Sequence, residues 1–448
     1  MSFRLVFQVH LTDACNLACR HCYGRPGRTF LTAEQFDDIL RQTLEYVHAV
    51  ALVPGGAVFC GGEPTLSPIL IDSIAKCARA GFREIFLLTN GSGMTDEFAV
   101  RLREAGLTGA QICIEGDETT HNDIRHGTWR QVLAAWATCR RAGLRVLNQT
   151  TVHPLNYRRA DEVVRLCRGK TDRVTFLRHI PHDGQLGVLS SQQWAEFLTR
   201  VFLTYYRENH DDGFVSVSDI HWSHSFMNGG YDCGYRSRYP RSLIFESNGD
   251  LYACRRSGIV VGNVFRESVR NLLARSPVLT THAARDAACS SSATGPAPEG
   301  CPGMALAVHG DATAEDPHCP ADHLAPETRR SILDRQRSCL PPTFEGEPAS
   351  PAWSTALRLL DSLRRHCASP PTARELESVL ASGRDNEVSV TGGELQAAAD
   401  AVRCLCGLES ARDTERWFQA NGVSPAAFHD YLVIALVRQK VQTAGRGG

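Results

Sequence analysis

The sequence has no long apolar run, no excess of charge of either sign and no segment that resembles a secretion signal. No apolar stretch among its 448 residues approaches the ~20 residues that a membrane-spanning helix needs. Lys and Arg (48) nearly balance Asp and Glu (49), which leaves a formal net charge of −1 and no basic excess to bind nucleic acid. Because no export signal precedes the first apolar strand, we expect a cytoplasmic protein without membrane or nucleic-acid partners.

Seventeen cysteines in such a chain indicate cluster ligation or buried thiols and argue against disulfides. Nine of them lie outside the two groups described below and are expected in the protein core, where free cysteine is common. These nine are Cys60, Cys77, Cys113, Cys139, Cys167, Cys339, Cys367, Cys404 and Cys406. The remaining cysteines form two groups, one near residue 20 and one between residues 233 and 319.

The first group is Cys15, Cys19 and Cys22, at C-x3-C-x2-C spacing directly after an apolar run. Three thiolates satisfy three irons of a [4Fe–4S] cube and leave the fourth iron open for a substrate or cofactor. The alternatives are a zinc knuckle and three buried thiols. Zinc needs another Cys or His close by, and His21 points the wrong way for that role because it directly precedes Cys22. The spacing favours the cluster.

Short apolar runs alternate with amphipathic stretches over the first 180 residues, which predicts βα units and a parallel sheet. Ligands of such folds bind at the carboxyl ends of the strands. The predicted strands are 5–10, 57–60, 84–89, 110–115, 145–152 and 173–178, and the predicted helices are 32–49, 66–80, 95–105, 128–142 and 156–168.

Polar and glycine-rich residues follow the ends of these strands, where they are candidates for ligand binding. For the glycines the alternative is an ordinary Gly-rich turn, and for Arg125 it is a solvated residue at a helix start. Alternation along the fifth strand leaves open whether Gln149 or its two neighbours face the site. The candidates are Gly61, Gly62, Glu63, Pro64, Thr89, Asn90, Glu115, Arg125, Asn148 and Thr150.

The cysteine triplet, with His21 and then Tyr23 around its last cysteine, resembles the radical S-adenosylmethionine (SAM) enzymes over roughly residues 4–180. The resemblance implies an α/β fold with an open, partial (β/α)6 barrel. It also implies that the amine and carboxylate of SAM bind the open iron. An electron from an external donor of the flavodoxin or ferredoxin type then cleaves SAM to a 5′-deoxyadenosyl radical, which abstracts a hydrogen atom.

The resemblance also assigns expected roles to the strand-end residues. The turn from Gly61 to Pro64 resembles the family's GGEP motif, which holds the SAM amine, and Thr89-Asn90 resembles a second SAM loop. Glu115 replaces the usual Asp, which leaves its contact open. Arg125 lies in a stretch similar to the family's H-D-x-I-R and is expected at the SAM carboxylate. Asn148 and Thr150, rather than Gln149, are expected to line the ribose, and Tyr23 to lie beside the cofactor.

The second group of cysteines flanks a predicted hairpin with strands 243–246 and 251–254, whose turn is Asn-Gly-Asp. A cysteine followed by G-x4-C (Gly249 to Cys254) and later cysteines resembles the SPASM/twitch extension, which holds auxiliary Fe–S clusters. The tail departs from the full pattern, because five cysteines cannot ligate two four-cysteine clusters. We expect one auxiliary cluster held by Cys233, Cys254, Cys301 and Cys319, with Cys289 as the alternative to Cys319; a zinc site built from four of the five is the other reading.

The residue after Cys254 is an arginine, whereas sulfatase-maturing relatives carry an aspartate base there. Arg255 stays protonated and cannot act as that base. Together with Arg256 it indicates either an anionic group on the substrate or charge compensation for a cluster.

The predicted domains are a radical SAM barrel (1–208), an auxiliary-cluster extension (209–339), a linker (340–351) and a helical C-terminal domain (352–448). The expected C-terminal helices are 352–368, 372–383, 393–407, 412–420 and 424–440. An apolar stripe on the last helix, which contains Phe428, Leu432 and Leu436, is expected to be core, with a partner-docking groove as the alternative.

Three functions compete. The first is hydrogen abstraction from a peptide during natural-product biosynthesis. The second is oxidation or epimerisation of a small natural-product intermediate such as an aminocyclitol, and the third is a non-catalytic Fe–S redox or binding protein. The intact SAM motifs make the third the weakest.

Overall fold

The structure of the protein is a computed structural model, and it describes most of the first 207 residues and parts of the rest. The described residues are 4–24, 27–49, 53–181, 186–207, 213–219, 222, 242–276, 300–311, 314, 316–318, 320, 323–338, 373–385, 388–391, 394–395, 398–399, 402, 418 and 425–444.

In the described part of the chain, ten strands form one sheet in the order β10-β9-β8-β1-β2-β3-β4-β5-β6-β7. Neighbouring strands from β1 to β7 pair in parallel, which confirms the expected parallel α/β sheet. The strands are β1 Arg4–His10, β2 Val53–Cys60, β3 Glu84–Leu88, β4 Gly109–Gln111, β5 Arg145–Val152, β6 Arg173–Arg178, β7 Val215–Val217, β8 Ser242–Phe245, β9 Asp250–Cys254 and β10 Ile259–Asn263.

Helices alternate with the strands, as the apolar periodicity predicts. The first eight are α1 Ala33–Ala49, α2 Leu70–Arg79, α3 Asp96–Glu104, α4 Glu118–Arg125, α5 Trp129–Arg141, α6 Ala160–Cys167, α7 Ser191–Tyr205 and α8 Val269–Arg275. Helix α4 was not predicted, and it puts Arg125 at the end of a helix instead of at a start.

The two faces of the sheet differ in polarity. On β1, Leu5, Phe7 and Val9 are fully buried, and the Phe7 ring lies 6.2 Å from that of Phe36 in α1. The alternate residues of the strand, which include His10, lie on the opposite face, because side chains of a strand alternate between faces. The sheet therefore has one face packed against helices and one face lined in part by polar side chains.

Strand β4 is shorter than the predicted 110–115. Beyond Gln111 the amide of Ile114 donates to the side chain of Asn148 (2.7 Å) and its carbonyl accepts from the hydroxyl of Thr150 (2.6 Å). The backbone pairing between β4 and β5 ends before Ile114, because side chains of β5 bond the amide and the carbonyl of Ile114 in place of backbone groups.

The extension continues the sheet of the barrel. Strand β8 pairs in parallel with β1, β9 returns antiparallel to β8, and β10 is antiparallel to β9. The hairpin turn is at the predicted place, where Gly249 adopts φ 86°, a conformation that favours glycine. The domain boundary expected at residue 208 stays a prediction.

Further helices cover Pro302–His309, Pro326–Ser338, Ala373–Asp385 and Pro425–Ala444. The last two pack through Val379, Ile434 and Val437 and agree with the predicted helices 372–383 and 424–440. The predicted linker and the helix 352–368 lie outside the described residues, as do most of the helices 393–407 and 412–420. Within the described helices, none combines the length and the apolar character needed to cross a membrane.

Candidate active site

The loop after β1 carries Cys15, Cys19 and Cys22 and folds back on itself. The amide of Cys22 donates to the carbonyl of Cys19 (3.0 Å), and the amide of Leu17 donates to the Cys15 sulfur (3.4 Å). All three are free cysteines, with Cys22 exposed and the other two half-buried. The loop thus presents three thiols at the carboxyl edge of the sheet.

Burial keeps two of these thiols protonated in the absence of a metal. It raises the pKa of Cys15 and raises the pKa of Cys19 to about 11, although the nearby Arg125 guanidinium opposes the second shift. Metal ligation releases such protons, because the thiolate is the ligand. Cys15 and Cys19 are therefore poorly reactive as free thiols, and a metal that binds them has to displace their protons.

Among the residues that the structure describes, no three His, Cys, Asp or Glu side chains converge closely enough to hold a single metal ion. A zinc site gathers its ligands around one ion, whereas a cube spreads its cysteines over separate irons.

The glycines after β2 allow the backbone to approach the cysteine loop. The amide of Gly62 donates to the carbonyl of Thr12 (2.8 Å), and that of Glu63 donates to the carbonyl of Ala14 (2.8 Å). A Cβ on Gly61 or Gly62 would lie 2.2 Å from a carbonyl oxygen of that loop. The two glycines thus let this turn pack against the cysteine loop, and their expected contact with SAM stays a prediction.

The Glu63 carboxylate joins the loops after β2 and β3. It is buried and precedes the short 3-10 turn Pro64–Leu66. One oxygen accepts from the hydroxyls of Thr65 (2.7 Å) and Thr89 (2.6 Å), and the other accepts from the amide of Asn90 (2.8 Å). Asn90 in turn donates from its side chain to that of Asn16 in the cysteine loop (2.8 Å). Hydrogen bonds thus join the cysteine loop to the motifs Gly61–Pro64 and Thr89-Asn90 in one bonded unit.

Glu115 and Arg125 form a buried ion pair. The arginine donates from Nε (2.8 Å) and Nη2 (2.6 Å) to one Glu115 oxygen, and the amide of Thr151 donates to the other (3.0 Å). The Nε2 atom of His21 lies 3.6 Å from the same carboxylate. The solvated alternative for Arg125 is wrong, since its charge is neutralised within the protein; its expected contact with the SAM carboxylate stays a prediction.

The two faces of β5 carry different candidate residues. Asn148 and Thr150 are buried and share the face of Val146, which belongs to the hydrophobic core. Gln149 lies on the other face, which by the pairing of Gln111 with Leu147 is the face of the Glu115 side chain. Asn148 and Thr150 are bonded to the backbone of Ile114, just beyond β4, and their expected contact with the ribose stays a prediction.

Two buried imidazole nitrogens near this edge have no hydrogen-bond partner in the described part of the chain. They are Nδ1 of His21 and Nε2 of His153. The other His153 nitrogen, Nδ1, accepts from the amide of Leu155 (3.2 Å), so Nε2 carries the proton. A buried donor left unpaired costs about 1–3 kcal/mol. The two nitrogens therefore fit a polar ligand bound between the ends of β1 and β5.

A polar cluster that the sequence reasoning missed lies on the same face, beside β1. The guanidinium of Arg255 pairs with Glu246 and lies 5.0 Å from the ring centres of both Tyr23 and Tyr252. Burial, and then the Arg255 charge, lower the pKa of His10 to about 3, so it contacts Glu246 (3.3 Å) as a neutral imidazole. Glu246 directly follows the apolar strand β8. A buried acidic residue at the end of an apolar strand is the signal that could have identified it in the sequence.

This pairing changes the interpretation of the two arginines after Cys254. Arg255 is neutralised by Glu246, and Arg256 donates to the carbonyl of Arg178. Both arginines are thus engaged inside the protein, which favours structural pairing over the recognition of an anionic substrate group.

Cys254 and Cys301 are the two expected auxiliary ligands that the structure describes. Each directly precedes a helical turn, Arg255–Ser257 and Pro302–His309 respectively, and these two segments pack against each other. Cys233, Cys289 and Cys319 lie outside the described residues. The auxiliary site therefore stays a prediction, with two of its cysteines in neighbouring segments.

The sequence from residue 9 to residue 167 matches the family described as the Radical SAM superfamily. This stretch contains the cysteine loop, the turn at Glu63 and the pair Glu115–Arg125. Residues 9–167 form a radical SAM domain. Domains of this family use a [4Fe–4S] cluster and SAM.

Relatives of this domain include enzymes of several kinds. Pre-heme d1 synthase of Dinoroseobacter shibae is 33% identical over 178 residues, which cover 39% of this chain and 43% of that protein. PqqA peptide cyclase of Methylocella silvestris is 26% identical over 341 residues, covering 71% and 87%. The serine-type anaerobic sulfatase-maturating enzyme of Klebsiella pneumoniae is 27% identical over 267 residues, covering 54% and 65%. The chain thus spans less than half of the first relative's length.

Solved structures share the fold. The enzyme anSMEcpe with bound AdoMet has a TM-score of 0.56 at 16% identity, covering 75% of this chain and 97% of that one. SuiB of Streptococcus suis, bound to the precursor peptide SuiA, has a TM-score of 0.52 at 15% identity, covering 64% and 68%. At such low identity these likenesses show the fold alone.

The radical SAM site fits the cofactors of its family. Three cysteine thiols on one loop are the donors that a cube needs for three irons. The orphaned nitrogens of His21 and His153 add donors at the same edge of the sheet.

We expect Glu63→Ala to weaken SAM binding at least tenfold without loss of iron. The substitution leaves the buried hydroxyl of Thr89 and the amide of Asn90 without their acceptor, at about 1–3 kcal/mol each. Equilibrium dialysis with labelled SAM measures the affinity, and an iron assay measures the cluster. Glu84→Ala, at the exposed opposite end of β3, is the control. Unchanged affinity in Glu63→Ala moves the SAM site elsewhere, and a loss of iron makes Glu63 part of the cluster site.

Proposed function

We propose that this radical SAM enzyme reductively cleaves SAM and abstracts a hydrogen atom from a side chain or the backbone of a peptide. The observation that carries the proposal is the bonded unit formed by the cysteine loop and the loops at Glu63 and Asn90. We also propose an electron donor of the flavodoxin or ferredoxin type, since the reduction needs an external electron.

The choice of a peptide rests on how far each alignment extends. The alignment with PqqA peptide cyclase covers 71% of the chain and therefore continues past the radical SAM domain. The alignments with pre-heme d1 synthase and with GTP 3′,8-cyclase 2 each cover only 39%, close to the share that the domain itself occupies. The part of the chain beyond the barrel thus resembles an enzyme named for a peptide, which supports a peptide substrate.

Each group of residues has a separate role in the proposed site. Cys15, Cys19 and Cys22 would hold the cluster, and Glu63 and Asn90 keep the neighbouring loops in place against the cysteine loop. Bound cluster and SAM supply the reductive cleavage and the abstraction of hydrogen. The cluster of Arg255, Glu246 and His10 lines the same face of the sheet, where a substrate would meet it.

The test incubates the reconstituted protein with SAM and dithionite, with and without synthetic peptides encoded by short reading frames beside its gene. We expect one peptide to stimulate 5′-deoxyadenosine formation and to change in mass. The variant with alanine at all three cysteines is the inactive control. Turnover that is stimulated only by small metabolites, with all peptides unchanged, would replace the peptide by a small natural-product intermediate.

A separate prediction concerns the proposed auxiliary cluster. We expect Cys254→Ala and Cys301→Ala each to lower the iron content from about eight to about four per chain, because the two cysteine groups lie on different segments. SAM cleavage without substrate should persist, whereas substrate turnover should fall. About four irons in the unsubstituted protein would contradict the auxiliary site. Retention of about eight in Cys319→Ala would assign the fourth ligand to Cys289.

A further inference from the structure

Arg178, the last residue of β6, holds a fully buried ion network. Its Nε donates to Asp219 (3.1 Å), and its two terminal nitrogens donate to both oxygens of Asp316 (2.9 and 2.7 Å). Its guanidinium carbon lies 5.4 Å from the ring centre of Trp194. The side chains of the arginine and both aspartates are at most 4% exposed. Such paired forks are geometrically specific, because two parallel bonds set the orientation of both groups.

The Asp316 carboxylate also fixes the segment that carries Cys301. One oxygen accepts from the amide of Cys301 itself (2.8 Å), and the other accepts from the amide of His318 (3.0 Å). Gly300 makes this approach available, since a Cβ there would lie 2.6 Å from the Asp316 Cβ. The Asp316 carboxylate thus links Arg178, at the end of β6, to the backbone of Cys301.

The other described auxiliary cysteine is anchored to the same residue. Arg256, two positions after Cys254, donates to the carbonyl of Arg178. The helix that begins after Cys301 packs against the turn that contains Arg256. Arg178 is therefore linked to the segments of both cysteines. Its carbonyl accepts from Arg256, and its guanidinium donates to Asp316.

We propose that Arg178 and Asp316 are positioning residues that hold Cys301 near Cys254 for the auxiliary Fe–S cluster. The inference rests on the proposed function, because it requires that cluster. Outer-shell hydrogen bonds to ligands of a metal site raise metal affinity by about 10–100-fold. A buried ion pair by itself is weak evidence for stability, so a role in placing the cysteine explains the network better than stability does.

The experiment compares two substitutions on the same guanidinium, Asp316→Asn and Asp219→Asn. Both remove one negative charge from Arg178, but only Asp316 accepts from the amide of Cys301. Each reconstituted variant is passed through gel filtration, its folded fraction is verified by circular dichroism, and its iron and the electron paramagnetic resonance signal of its clusters are measured.

We expect Asp316→Asn to lose most of the second cluster, with iron falling from about eight to about four per chain, and Asp219→Asn to keep it. The signal of the cluster at Cys15, Cys19 and Cys22 should remain in both. Equal retention of about eight irons by both variants, or equal loss from both, overturns the positioning role while the auxiliary cluster of the proposed function stands. About four irons in the unsubstituted protein overturns both.

If Asp316→Asn does not fold, Arg178→Lys decides the question. Lysine keeps the buried positive charge but not the fork that orients Asp316. Folded Arg178→Lys protein with a shifted or missing signal for the second cluster supports positioning. An unchanged signal with lowered thermal stability assigns the network to stability alone.

Discussion

Alanine at Cys15, Cys19 and Cys22 together is expected to remove about four irons per chain and to lower reductive SAM cleavage to the detection limit. The reason is that three thiolates on one loop supply the protein ligands of one cube. The measurement is an iron assay together with chromatography of 5′-deoxyadenosine after addition of SAM and dithionite. Persistent 5′-deoxyadenosine formation would contradict the central role of this loop.

Cys77→Ala is the matched control for the triple substitution. Cys77 is a fully buried cysteine of helix α2 in the hydrophobic core. Its loss is expected to cost a little stability and to leave both iron content and SAM cleavage unchanged. A similar iron loss in this control would show that the assay reports misfolding instead of ligation.

Arg125→Ala is expected to lower the free energy of unfolding by about 3–5 kcal/mol, because it leaves the Glu115 carboxylate buried without a counter-charge. That carboxylate is 0% exposed and receives two hydrogen bonds from the arginine. Urea unfolding followed by circular dichroism measures the change. The double variant Glu115→Gln with Arg125→Met is expected to recover part of the loss, since no charge then remains buried.

The control for this prediction is Arg20→Ala, which removes an exposed ion pair with Asp123 in the same region of the site. Exposed pairs contribute about 0–1 kcal/mol. Equal losses in Arg20→Ala and Arg125→Ala would mean that burial does not set the energy of the Glu115 pair.

The sequence by itself determined most of the strands and helices of the barrel, because their signals are local, although it missed helix α4. Apolar periodicity placed β5 and β6 at their observed bounds, and cysteine spacing marked the loop after β1. The Asn-Gly-Asp sequence marked the hairpin of β8 and β9, since a tight turn depends on the residues within it.

Only the tertiary structure decided which side chains meet. The two ends of the Arg178–Asp316 pair stand 138 residues apart in sequence, and those of the Glu63–Asn90 bond stand 27 apart. Neither pairing has a local signature, because each depends on how strands align in the sheet. For the same reason strand alternation alone left the partners of Asn148 open, and the structure shows that its side chain accepts from the buried amide of Ile114.

The glycines after β2 show the same division. The sequence predicted that these glycines lie in a turn, but the segment against which the turn packs depends on the loop after the neighbouring strand β1. The backbone from Thr12 to Ala14 occupies the space that a side chain on Gly61 or Gly62 would need. Sequence patterns determine local conformation, whereas long-range packing determines the contact that this conformation serves.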